Sequence, residues 1–81
     1  MTPQAYVLIK TQVDRTPEVF KALQSIEALR RADIIMGPYD IIALMEAEDA
    51  SKIGDFILEI RDISGVLDTL SCLIVRTTTS P

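Results

Sequence analysis

The chain contains no histidine, tryptophan or asparagine. Without histidine it lacks the commonest general base and the commonest imidazole metal ligand. There is one cysteine, Cys72, so no internal disulfide can form and nothing points to secretion. The three glycines, Gly37, Gly54 and Gly65, stand far apart, which excludes a glycine-rich phosphate loop. Basic residues are outnumbered, 8 Lys and Arg against 12 Asp and Glu, for a net charge of −4. An acidic chain is poorly suited to gripping nucleic acid by its phosphates. Aromatics are few (Tyr6, Phe20, Tyr39 and Phe56), too few for a platform that stacks unpaired bases. No apolar run approaches the ~20 residues of a membrane span. The start Met1-Thr2-Pro3-Gln4 lacks the charged region of a signal peptide, so a cytoplasmic location is expected.

Eighty-one residues make one domain spanning 1–81, because a second would leave neither part enough core. Hydrophobic residues make up 48%, enough for a globular fold. The mean hydropathy of +0.27 is apolar for so small a chain with so much surface.

Ala5 to Val13 is rich in β-branched and aromatic residues and reads as a strand. Thr16, Pro17 and Glu18 then signal a helix start, with Thr16 as N-cap and Pro17 in the first turn. Val19, Leu23, Ile26 and Leu29 form a helical stripe, and Arg30 and Arg31 suit a helix C-terminus. Ala32 to Met36 is a short strand candidate that enters the turn Gly37-Pro38-Tyr39-Asp40. Ile41 to Ala47 reads as an interior strand. Asp49 is the expected N-cap of a second helix with the stripe Ile53, Phe56, Ile57 and Ile60, stopped near Gly65. Val66 to Arg76 is the last strand.

The order is β-α-β-β-α-β. Right-handed crossovers turn this order into a ferredoxin-like α+β sandwich, a four-stranded antiparallel sheet with both helices on one face. The strands are apolar on both parities, including Ile42 and Leu44 as well as Ile41 and Met45. An open-faced sheet in a monomer normally alternates apolar with polar. The second face is therefore expected to be buried against another copy, with Ile41, Met45 and Cys72 among the contributors. A dimer paired through its sheets is the predicted state.

Catalytic equipment is sparse. Cys72 lies within an apolar run with no histidine to activate it, and reads as a buried structural cysteine. Glu46, Glu48 and Asp49 form an acidic cluster at a strand-to-helix junction, which capping and solvation explain. No loop carries the several oxygen ligands of a hard-metal site, so no metal and no cofactor is expected. The turn at Gly37–Asp40 keeps a surplus. A hairpin explains Gly37 and Pro38, but not an aromatic followed by a carboxylate. Backbone N–H groups, an aromatic wall and one anion suit an amphoteric small molecule.

The run Met36-Gly37-Pro38-Tyr39-Asp40-Ile41-Ile42-Ala43 resembles the Gly-x-Tyr-Asp hairpin of the effector-binding domain of Lrp/AsnC-type transcriptional regulators. That domain is called RAM, for regulation of amino acid metabolism. Gly65-Val66-Leu67-Asp68-Thr69-Leu70-Ser71 is similar to the family's motif at the start of the last strand. The resemblance implies dimers assembled into rings, with an amino acid or related metabolite bound between dimers. Carried over by position it points to Gly37, Tyr39 and Asp40, and to Thr69 and Ser71. Family regulators carry a helix-turn-helix ahead of this domain, whereas here the first strand begins close to Met1. The expectation is thus a non-enzymatic sensor without direct DNA contact, able to co-assemble with full-length regulators. Two alternatives stand beside it: a small dimeric ferredoxin-like α/β-barrel enzyme, and a purely structural assembly module.

Overall fold

The computed structural model describes residues 2–80. Strand β1 spans Gln4–Thr11, helix α1 Thr16–Leu23, β2 Leu29–Ile34, β3 Ile41–Glu46, α2 Ala50–Arg61 and β4 Val66–Leu73. The strands form one antiparallel sheet in the order β2-β3-β1-β4. This is the expected β-α-β-β-α-β sandwich.

Alternation sets the two sides of the sheet. Ala5, Val7, Ile9 and Thr11 of β1 and Ile41, Ala43 and Met45 of β3 are buried under the helices. From the helices Val19, Leu23, Ile53 and Ile60 close over them. The opposite parity is only half covered. Tyr6 and Leu8 of β1, Ile42 and Leu44 of β3, and Leu70 and Cys72 of β4 share that face by register. Ile41 and Met45 therefore do not belong to the open face; both are 0% exposed in the core. Cys72 is on the open face and exposed, not buried, because β4 is an edge strand and Cys72 stands opposite Tyr6.

Helix α1 is shorter than its apolar spacing suggests. The amides of Gln24, Ser25 and Ile26 bond three residues back, to Lys21, Ala22 and Leu23, in tightened turns. Ile26 and Leu29 still pack on the core, so a helical spacing continues past the helix. Arg30 and Arg31 consequently sit in β2 rather than at a helix end. Arg15, without a side-chain cap bond, holds the N-cap position, and the Thr16 hydroxyl instead meets the Thr11 hydroxyl at 2.6 Å. For α2 the expectation holds: Asp49 caps it by accepting from the Lys52 amide at 2.9 Å. Gly65 lies beyond the C-cap, Asp62, with φ +98°, where a Cβ would stand 2.9 Å from Arg15 Cβ. Only glycine satisfies both demands.

Candidate functional site

Antiparallel pairing brings the Thr11 end of β1, the Ile41 start of β3 and the Val66 start of β4 to one end of the sheet. The β2–β3 hairpin, carrying Gly37, Pro38, Tyr39 and Asp40, closes that end. Asp40 extends the ladder beyond the strand proper. Its amide donates to Ile9 O at 2.9 Å and its carbonyl accepts from the Ile35 amide at 2.9 Å. Its carboxylate Oδ2 accepts from the Thr11 amide at 2.8 Å, doing the work of a backbone carbonyl. One carboxylate oxygen is thereby fixed, and its partner oxygen keeps its acceptor capacity. Lys10 Nζ donates to Pro38 O at 3.2 Å, so an ammonium is held against the same turn.

Gly37 and Pro38 are exposed and Tyr39 is half-buried. Gly37 is not in the left-handed region, and a Cβ built there meets no atom within 4 Å. Neither conformation nor packing within the chain demands glycine. What its hydrogen provides is an unobstructed approach to the hairpin backbone.

Thr69 lies across β1 from the hairpin, opposite Ile9, and Ser71 lies opposite Val7. Two strand spacings, roughly 10 Å, separate Thr69 from the Asp40 side of β1. Ser71 is a further two residues, roughly 7 Å, toward the sheet centre. Gly37, Tyr39 and Asp40 thus share one turn, with Thr69 at the same end of the sheet and Ser71 set back. Sequence reasoning missed Lys10 and Thr11. Their only signal is register, since they lie 28 and 29 residues from Pro38 and Asp40.

Two members of the acidic cluster at the far end of β3, Glu46 and Asp49, have structural roles. Asp49 caps α2, and Glu46 pairs with Arg30 Nε at 3.0 Å while accepting from the Thr2 hydroxyl. These bonds, Thr2's first and then Arg30's, hold the Glu46 carboxyl below its ordinary value. Among the described residues no group of three His, Cys, Asp or Glu is placed to hold a metal ion, and no helix is long and apolar enough to cross a membrane.

Comparison with known proteins agrees with this architecture. The HTH-type transcriptional regulator LysM of Sulfurisphaera tokodaii is 32% identical over 74 residues, covering 90% of this chain and 53% of that protein. A homocitrate synthase of Sulfolobus acidocaldarius is 36% identical over 61 residues, covering 75% of this chain but 13% of the enzyme. The chain therefore spans about half of the regulator and a small fraction of the enzyme. A Neisseria meningitidis transcriptional regulator, crystallised as its L-Met complex, superposes with a TM-score of 0.84 at 17% identity, over 96% of this chain and 53% of that one. The model of the Lrp/AsnC ligand binding domain matches residues 4–80, so this chain belongs to the Lrp/AsnC ligand-binding domain family.

Proposed function

We propose that this domain is a non-enzymatic amino-acid sensor whose ligand binds at the hairpin end of the sheet, across a contact between copies. The carrying observation is a pair of opposite charges fixed at one turn, Asp40 within it and Lys10 reaching it from β1. Asp40 is anchored by the Thr11 amide and Lys10 by Pro38 O. An α-amino acid presents an ammonium for the first and a carboxylate for the second. Gly37 leaves the backbone between them accessible, and Tyr39 supplies an apolar wall. Thr69 and Ser71 stand too far across β1 to close on the same small ligand within one chain. They serve best as the wall that a second copy contributes.

Two features favour assembly. The open sheet face offers Tyr6, Leu8, Ile42, Leu44 and Leu70 inside a charged rim of Arg31, Asp33, Lys10 and Asp68. Pairing through this face gives the dimer. Val13 and Met36, 100% and 102% exposed, flank the hairpin end and suit a further contact between dimers. A ligand seated there shifts assembly because it favours one state.

The match to part of an enzyme supports sensing over DNA contact or catalysis. A segment shared by an HTH-type regulator and by 13% of a synthase contributes something both hosts can use. Reporting a metabolite level is such a task. Co-assembly with full-length regulators is the corresponding partner.

Titration calorimetry with the standard amino acids, paired with light scattering, tests the proposal. One or more amino acids should bind and change the particle mass. Gly37→Ala should retain the wild-type melting temperature, or gain slightly, while losing the amino-acid-dependent change in particle mass. No heat and no mass change with any amino acid would overturn it.

A further inference from the structure

A second recess lies at the other end of the sheet, away from the hairpin. It is a cleft of about 300 Å³ where the α1–β2 turn, the end of β3 and the first half of α2 meet. This volume is at the small end of the range for small-molecule sites. Ala28, 2% exposed, and half-buried Phe56 give it an apolar floor.

The walls are tied together rather than merely adjacent. The Glu46 amide donates to Ala28 O at 2.9 Å, joining β3 to the α1–β2 turn. The Arg30 guanidinium donates to Glu27 O at 3.1 Å, to Leu29 O at 3.2 Å and to the Glu46 carboxylate at 3.0 Å. A recess braced in this way needs little reorganisation to receive a ligand.

Its charges are divided. Arg30 and Glu46 neutralise one another. Lys52, Glu27 and Glu48 also line the cleft and make no ion pair among the described residues. That leaves one cation and two anions around an aromatic floor.

The geometry points to this cleft as a second small-molecule site, separate from the hairpin, for an amphoteric ligand with one carboxylate and two cationic groups: a basic amino acid. Lys52 takes the carboxylate. Glu48 and Glu27 take the two cationic groups, and the methylene chain lies on Phe56. A neutral amino acid leaves one carboxylate uncompensated, and an acidic one adds repulsion. The site does not depend on the hairpin reading, because no residue is common to both.

The test is a titration of the ¹⁵N-labelled chain with L-lysine, with L-leucine and L-glutamate as comparisons, followed residue by residue by NMR. L-lysine should shift the amides of Ala28, Ala47 and Phe56 in the wild type and equally in Asp40→Asn. Glu48→Lys and Lys52→Ala change exposed side chains and should leave the fold intact. Each should weaken that response about tenfold or more, since each removes a charge-assisted bond. Shifts confined to residues 37–40 and 69–71 would overturn the cleft site and leave the hairpin reading standing. L-leucine acting at the cleft as strongly as L-lysine would overturn the charge assignment. No shift at the cleft with any of the three would overturn the site.

Discussion

Asp40 has two separable jobs, and two substitutions distinguish them. Its Oδ2 accepts from the Thr11 amide at 2.8 Å, and Thr11 is 4% exposed. Asp40→Ala strands that amide where little water reaches it. A hydrogen bond to a charged group contributes about 1.5–3 kcal/mol, and an unsatisfied buried donor costs a similar amount. For a domain of this size 1 kcal/mol moves the melting temperature by about 4–8 °C. Asp40→Ala should therefore melt roughly 6–24 °C below wild type. Asp40→Asn keeps an oxygen in place and loses only the charge. It should sit within about 1 kcal/mol of wild type, near the net worth of a neutral bond. Its amino-acid-dependent change in particle mass, the response of the hairpin site, should nevertheless vanish, because a neutral amide does not attract an ammonium as a carboxylate does. Circular dichroism melts at one fixed protein concentration measure the first effect, since assembly makes melting concentration-dependent. Light scattering with and without amino acid measures the second. An unchanged melt in Asp40→Ala would refute the ladder role, and an unchanged response in Asp40→Asn would refute the binding role.

Two other outcomes follow from the open face and the far end of the sheet. Leu44→Lys places a charge at the centre of the half-covered face, opposite Tyr6, and should halve the particle mass in light scattering while the circular dichroism spectrum stays folded; an unchanged mass would remove that face as the pairing surface. Glu46 has its carboxyl held down by Thr2 and Arg30, so its contribution to stability is complete above the ordinary glutamate value of about 4.3 and is lost as pH falls through its lowered folded value. The melting-temperature gap between wild type and Glu46→Gln should accordingly shrink as pH is lowered below about 4.5; a gap independent of pH would refute the pairing.

Local patterns fix much of this protein. Period-2 alternation in Ala5 to Thr11 and the Asp49 cap act through their own backbone or nearest neighbours, and the turn signal at Gly37–Asp40 and the positive φ of Gly65 are local in their backbone demands. Their meaning is visible without a fold, and together they yield the element order and the hairpin that carries the candidate site. The end of α1 was not legible in this way. Ile26 and Leu29 keep a helical spacing after the helix has stopped, because the turn still delivers them to the core.

What the tertiary structure alone decided is the assignment of faces and the partners over distance. Both parities of β3 are apolar, so composition cannot say whether Ile41 and Met45 or Ile42 and Leu44 lie beneath the helices. The register of β1 against β3 and the placement of Val19, Leu23, Ile53 and Ile60 put the first pair inside. The same register brings Thr11 to Asp40 and Lys10 to Pro38, contacts that no sequence period encodes. The chain itself determined that there would be an apolar surplus and a charged hairpin. The packing of helices on one side of a twisted sheet decided where each would face, because only one side of a strand can be covered by its own crossover helices.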